Sequence, residues 1–201
     1  MAVSTPPEPK PVLGGRYRVP PEQLSDGDVT LRRWHTKDAG DLLAAALPSL
    51  PELKAWMPWA ANGYTLEDAE TFLSLTTAEW GEGKVYNYAL IVDEKIVGSF
   101  GLMNPAKGSG GMGMGYWLAT PMTGRGLATK AAGLLTTAAF DCGAELVQVW
   151  HAVANVKSRA VPERLGYQYL GQYEDLQIAE RGAMGLWQKD AKPAMRSDVR
   201  S

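Results

Sequence analysis

The chain has 201 residues, 45% hydrophobic and 21% charged, which fits one globular domain with its own core and excludes a wholly disordered chain. A net charge of −2 argues against a broad basic surface for nucleic acid; a lone cysteine (Cys142) excludes an internal disulfide and a multi-cysteine zinc site, and two histidines (His35, His151) argue against a histidine-rich metal site, so no metal is expected. With no apolar run of membrane-spanning length and no signal-peptide pattern, the expectation is a cytoplasmic protein with no membrane partner.

Six of the 13 prolines fall before residue 22, so residues 1–26 read as a flexible Pro-rich arm, 27–188 as a single domain and the polar stretch 189–201 as a tail. Val29–Trp34 reads as a strand. Asp38–Leu47 reads as a short helix stopped by Pro48 and Pro51. An aromatic-rich irregular stretch, Leu53–Trp59, follows. Thr65 with Glu67 and Asp68 marks a helix start, and Phe72, Leu73, Leu75 and Trp80 give that helix an apolar side. Tyr86–Val92, the turn Asp93-Glu94-Lys95 and Ile96–Met103 form a predicted hairpin. Residues 105–111 read as a loop and Met112–Leu118 as a strand. Residues 124–141 give the clearest helical pattern, with Leu127, Ala131, Leu134, Leu135, Ala138 and Cys142 at spacings of three and four. A strand (Glu145–Ala152), a helix (Val156–Leu165) and two strands (Tyr167–Tyr173, Met184–Gln188) complete a mixed α/β domain around a mostly antiparallel sheet.

Two segments carry chemistry. In the first, Tyr116 through Thr129, a strand enters a short loop and glycines open a long helix. Such a junction offers unpaired N–H groups and the positive end of a helix dipole, which suits a phosphate or pyrophosphate, and Arg125 could add a charged contact. Neither a Walker loop nor a dinucleotide fingerprint is present, since Gly124-x-Gly126 lacks both the Lys-Ser/Thr pair and the third glycine. The plainer reading is a helix start with glycines for tight packing. In the second segment, His151 through Tyr167, Asn155 sits at a helix start and Gly166 follows the last apolar position. Asn155 and Ser158 can be read there as a cap and a first-turn polar residue.

Together the two segments resemble the GNAT superfamily of acyl-CoA-dependent N-acetyltransferases, most closely its RimJ/RimL-like branch. The first is similar to the coenzyme A pyrophosphate motif Arg/Gln-x-x-Gly-x-Gly/Ala, and the second to Asn-x-x-Ser…Leu-Gly-Phe/Tyr. The resemblance covers residues 27–175, and the Trp-x-Pro-Trp pattern within Leu53–Trp59 also fits this branch. Two departures stand out: Thr123 replaces the motif's Arg/Gln, and Pro162 lies inside the last helix, where it could redirect it.

The resemblance implies a twisted sheet with helices on both faces, splayed into a V between two central strands. It implies acetyl-CoA as co-substrate, with pantetheine along Tyr116, Trp117 and Leu118. The pyrophosphate would lie on the segment Thr123, Gly124, Arg125, Gly126, Leu127, Ala128 and Thr129. Asn155 would contact coenzyme A, and Ser158 would lie near the thioester sulfur and assist the departing thiolate. Tyr116, with a backbone N–H near Trp117 or Leu118, would polarise the carbonyl. His151 is the candidate base by intrinsic pKa, its other reading being a sheet histidine with a satisfied hydrogen bond. Glu70 is a second base candidate on the acceptor side. Trp56, Met57 and Trp59 would line the acceptor side or, alternatively, pack in the core. The reaction implied is direct transfer of an acetyl group to a primary amine in a ternary complex. The acceptor would be a protein N-terminus or a small molecule such as a polyamine, amino acid or antibiotic, and homodimers are frequent in the family. The competing reading from another class is a non-catalytic acyl-CoA-binding module.

Overall fold

The computed structural model describes residues 2–3, 17–103, 111–175 and 182–191. In chain order the elements are β1 (Ala2–Val3), β2 (Gln23–Asp26), β3 (Val29–Arg33), α1 (Ala39–Ala46), α2 (Leu50–Leu53), α3 (Leu66–Gly81), β4 (Val85–Val92), β5 (Lys95–Met103), β6 (Gly111–Leu118), α4 (Leu127–Asp141), β7 (Leu146–Ala152), α5 (Val156–Arg164), β8 (Gln168–Asp175) and β9 (Ala183–Asp190). The strands form one sheet in the order β1-β8-β9-β7-β6-β5-β4-β3-β2. Among the described residues only β6·β7 and the two-residue β1·β8 pairing are parallel, so the sheet is mixed and mostly antiparallel, as expected. The parallel pair β6·β7 is bridged by α4, the crossover that parallel neighbours require.

Alternation along the strands sends side chains to two layers. On one face Tyr86, Tyr88 and Leu90 of β4 join Phe100, Leu102, Met112 and Met114 beneath Leu127, Ala131 and Leu135 of α4. On the other, Ala89, Ile91 and Ile96 meet Leu42 of α1 and Ala69, Phe72 and Leu73 of α3, around the buried Trp34. Helix α3 starts where the sequence places it. The Thr65 hydroxyl accepts from Asp68 N (3.2 Å), and the Asp68 carboxylate accepts from Thr65 N (2.8 Å), a reciprocal cap. The hairpin β4–β5 turns on two residues, Asp93 and Glu94, both at positive φ, so Lys95 already belongs to β5.

Three boundaries differ from the sequence reading. Of the expected arm, residues 1 and 4–16 lie outside the described residues, and residues 17–26 are part of the domain. β2 pairs with β3 from Gln23↔Arg32 to Asp26↔Val29, Arg18 N donates to Cys142 O (2.8 Å) and the Tyr17 hydroxyl donates to Gly111 O (3.2 Å). The segment Gln-Leu-Ser-Asp is a largely exposed edge strand held by main-chain bonds, and it carries no apolar alternation to announce it. Of the expected tail, residues 189 and 190 complete β9 and residues 192–201 lie outside the described residues, as does most of the 105–111 loop. Helix α4 begins at Leu127 and not at 124, because Gly124 (φ 78°) and Gly126 (φ 76°) adopt left-handed backbone that cannot continue a right-handed helix. Among the described residues no helix is long and apolar enough to cross a membrane.

His151 illustrates how the sheet consumes a polar side chain. It is 5% exposed, on the same face of β7 as Val147 and Val149. Its Nδ1 meets Ala152 O at 2.8 Å and its Nε2 accepts from Trp187 Nε1 at 2.9 Å. That pairing fixes a neutral ring protonated on Nδ1. Across the β7·β9 pair lies Gly185, where a Cβ would come within 2.8 Å of Nε2, so the glycine makes room for the imidazole. Burial holds the His151 pKa below its usual 6.5, with a smaller lowering from Arg159 and an opposing pull from the Ala152 carbonyl. The unfolded chain therefore binds a proton that the folded chain refuses. Stability is fully present above about pH 6.5 and declines as pH falls below it. Thermal melts from pH 8 to pH 5 should show this acid loss in wild type, and His151→Gln should flatten it.

Candidate active site

The pairing of β6 with β7 stops partway. Residues Gly111–Met114 pair with Leu146–Val149; beyond them Gly115–Leu118 stay with β5 and Trp150–Ala152 stay with β9. The two central strands part there, and a cleft of about 680 Å³ opens between their ends. One wall holds Tyr116, Trp117 and Leu118 of β6, and the floor is the loop and first turn of α4. The second wall is the β7–α5 junction with the inner face of α5, and the third is Glu52, Leu53, Ala55, Trp56 and Met57 around α2. Helix α2 is tied to the loop by Ser49, which is fully buried and whose Oγ accepts from Thr120 N at 2.9 Å.

The loop ends in an array of amide donors. Gly126 is the N-cap residue of α4 and has no side chain with which to cap. Lys130 N closes the first helical bond to Gly126 O (3.0 Å), whereas the N–H groups of residues 124–129 have no acceptor among the described residues. Gly124, Gly126, Leu127, Ala128 and Thr129 all line the cleft. Backbone donors plus a helix dipole form a site for an anion that can take several hydrogen bonds at once. Thr123 also lines the cleft, but its hydroxyl is spent on Thr120 O (2.8 Å). Arg125 is not among the lining residues; it is exposed and lies 3.4 Å from Met122 Sδ. The charged lining residues are instead Lys157 and Arg164 on α5 and Glu52 opposite. Sequence reasoning missed all three. The spacing 157, 160, 161, 164, which marks one helical face, was the available signal for the two cations.

Ser158 is held by each of its polar groups. Its N–H donates to Asn155 Oδ1 (3.0 Å), its carbonyl accepts from the Tyr116 hydroxyl (3.0 Å), and its own hydroxyl donates to that phenol oxygen (3.3 Å). Asn155 is thus a cap and a cleft residue at once, since its Nδ2 has no acceptor among the described residues. Tyr116 is pinned from the other side by a stacked Phe100, with ring centroids 5.2 Å apart and planes at 16°. Burial pushes the Tyr116 phenol up to about 12, with the Ser158 hydrogen bond pulling the other way, so it stays protonated at physiological pH.

The other expected residues divide. Trp56 and Met57 line the cleft. Trp59, 36% exposed, stands behind the lining, with its ring 5.7 Å from that of Trp117 and 4.9 Å from Tyr64. Glu70 is exposed on α3 and is not a cleft residue. His151 is turned into the β7·β9 packing with both ring nitrogens occupied, so neither can take a proton from an amine in the cleft. Cys142 is buried, and burial raises its thiol pKa, as suits an inert core residue. Among the described residues no group of three or more His, Cys, Asp or Glu is placed to hold a metal ion.

The comparisons with known proteins agree with this geometry. An acetyltransferase (GNAT) domain matches residues 28–168. The chain is 30% identical over 149 residues, 73% of its length and 81% of the relative's, to the Bacillus subtilis (strain 168) protein named "Putative ribosomal N-acetyltransferase YdaF". Among solved structures it shares its fold with the microcin C7 self-immunity acetyltransferase MccE in complex with acetyl-CoA and AMP. The TM-score is 0.77 at 21% identity, covering 83% of this chain and 94% of that one. It shares it also with Mycobacterium smegmatis RimJ in complex with CoA-disulfide, with a TM-score of 0.72 at 22% identity, covering 81% and 82%. With the family domain spanning most of the sheet and all three walls of the cleft, the chain belongs to the GNAT acetyltransferase family.

Proposed function

We propose that this acetyltransferase moves an acetyl group from acetyl-CoA to a primary amine by direct attack in a ternary complex, with a protein N-terminal amine as acceptor. The observation that carries the reading is the parted β6·β7 edge leading to unpaired amides at residues 124–129, with the Ser158 hydroxyl on the facing wall. The relative's name, a ribosomal N-acetyltransferase, supports the choice of acceptor.

The residues present fit coenzyme A. The amides of Gly124 to Thr129 suit the pyrophosphate, and Lys157 and Arg164 add positive charge on the same cleft. Tyr116, Trp117 and Leu118 offer a wall for a narrow chain, and the free Nδ2 of Asn155 is a donor beside it. Acetyl-CoA supplies an activated thioester, so the chain need form no covalent intermediate. Its residues orient and stabilise. The one hydrogen of Ser158 Oγ, which rests on the Tyr116 oxygen in this structure, turns to the sulfur that leaves as the carbon–nitrogen bond forms. Tyr116 fixes that hydroxyl and, remaining protonated, never brings a phenolate next to the developing negative charge. Glu52 is the carboxylate lining the cleft and takes the proton lost by the attacking amine, directly or through water. Trp56 and Met57 form the apolar surface that the acceptor crosses.

Screening peptide N-termini and small amines with acetyl-CoA, reading free thiol, tests this directly. Turnover on peptides supports the proposal, turnover confined to small amines removes the acceptor assignment, and binding without turnover on any amine overturns the enzyme reading. Ser158→Ala should lower kcat by about 100-fold while acetyl-CoA affinity by calorimetry stays near wild type. Gly126→Trp should weaken coenzyme A binding at least about tenfold, because a β-carbon strains the left-handed backbone by about 1–2 kcal/mol and the indole fills the anion site. Circular dichroism on the same sample checks that the fold persists.

A further inference from the structure

We infer that Pro162 is a positioning residue, which leaves the Ser158 carbonyl without its helical donor so that the Tyr116 hydroxyl can dock there. The inference rests on the role given to Ser158 above.

In an α-helix the carbonyl of residue i accepts from the N–H of residue i+4. For Ser158 that donor would be residue 162, which is proline and has no N–H, and whose ring also crowds the carbonyl four residues back. The proline sits inside α5, where it is the least favourable residue for a helix interior, and it is buried. The helix nevertheless continues. Arg159 N bonds Asn155 O (3.1 Å) before the gap, and Leu165 N bonds Val161 O (3.2 Å) after it. The vacated acceptor is filled from another element. Tyr116 of β6, 42 positions earlier in the chain, donates its hydroxyl to Ser158 O at 3.0 Å. With its proton committed to that carbonyl, the phenol oxygen presents lone pairs, and the Ser158 hydroxyl donates to it at 3.3 Å. Residue 162 thereby decides where the tyrosine hydroxyl rests, and the tyrosine oxygen holds Ser158 Oγ in place, from where its one hydrogen can turn to the sulfur. An N–H at position 162 would compete for the same carbonyl and release the phenol. The contact also ties the two strands' walls together across the mouth of the cleft, where the sheet itself has stopped pairing.

A mutant cycle of Pro162→Ala and Tyr116→Phe tests this. In wild-type background Pro162→Ala should lower kcat about tenfold, from misplacement of the serine hydroxyl, with KM for acetyl-CoA unchanged. In the Tyr116→Phe background it should have no further effect, because the phenol it displaces is already gone. A second readout needs no turnover. The ¹³Cζ resonance of Tyr116 in the free protein, assigned by its loss in Tyr116→Phe, should move in Pro162→Ala as the hydroxyl leaves its carbonyl acceptor. An unmoved resonance, or rate factors that multiply in the double variant, would overturn the inference. A wild type that acetylates no amine would sink the reaction proposed above, and the resonance would still judge the contact.

Discussion

Two parallel strands that run together and then separate leave main-chain donors and acceptors facing each other across a gap too wide to bridge. That parting, after Met114 and Val149, governs the rest of this molecule. Unsatisfied main-chain groups cost about 1–3 kcal/mol each when buried, so the gap must open to solvent or to a ligand. Here it opens into the cleft, and the chain leaving β6 passes through one short turn into residues 124–129, whose amides have no acceptors among the described residues. A narrow, polar-edged ligand that ends in a polyanion satisfies both sets of groups.

The walls of the cleft are kept in place by bonds that bypass the missing pairing. Ser49 anchors the α2 side to the loop at Thr120, and Tyr116 joins β6 to α5 through Ser158. Phe100 stacks on Tyr116 from the neighbouring strand, so the core sets the position of the phenol. Asn155 caps α5 with its oxygen and keeps its amide nitrogen for the cleft. Tyr116 and Asn155 thus make these structural ties while also lining the cleft, as suits a site assembled from element ends.

His151 shows the opposite outcome. Its position at the end of β7, beside the gap, and its intrinsic pKa recommend it as a base. The side chain faces β9, where Trp187 donates to one nitrogen, the Ala152 carbonyl takes the other and Gly185 leaves space for the ring. Strand alternation sets the face on which a residue lies, but which neighbour waits on that face depends on β9, which arrives more than 30 residues later. A carboxylate with no sequence motif, Glu52, is what lines the cleft instead.

Periodicity and punctuation in the sequence determined the element types, from the Thr65 cap and the hairpin at Asp93 to the apolar stripe of α4, because these are local matters of dihedral preference and side-chain spacing. The glycine pair at 124 and 126 and the Asn155-x-x-Ser158 spacing likewise marked both sides of the cleft, since each is a short-range requirement of backbone geometry. Tertiary structure alone decided which polar residues reach the cleft: Lys157, Arg164 and Glu52 do, whereas His151, Glu70 and Arg125 do not. It alone turned residues 17–26 into packed chain, because an exposed edge strand is held by backbone bonds that leave no pattern in the side chains. It also gave Pro162 its meaning, since a missing N–H can be read from sequence, while the hydroxyl that takes its place comes from a strand 42 residues away from the serine whose carbonyl it meets.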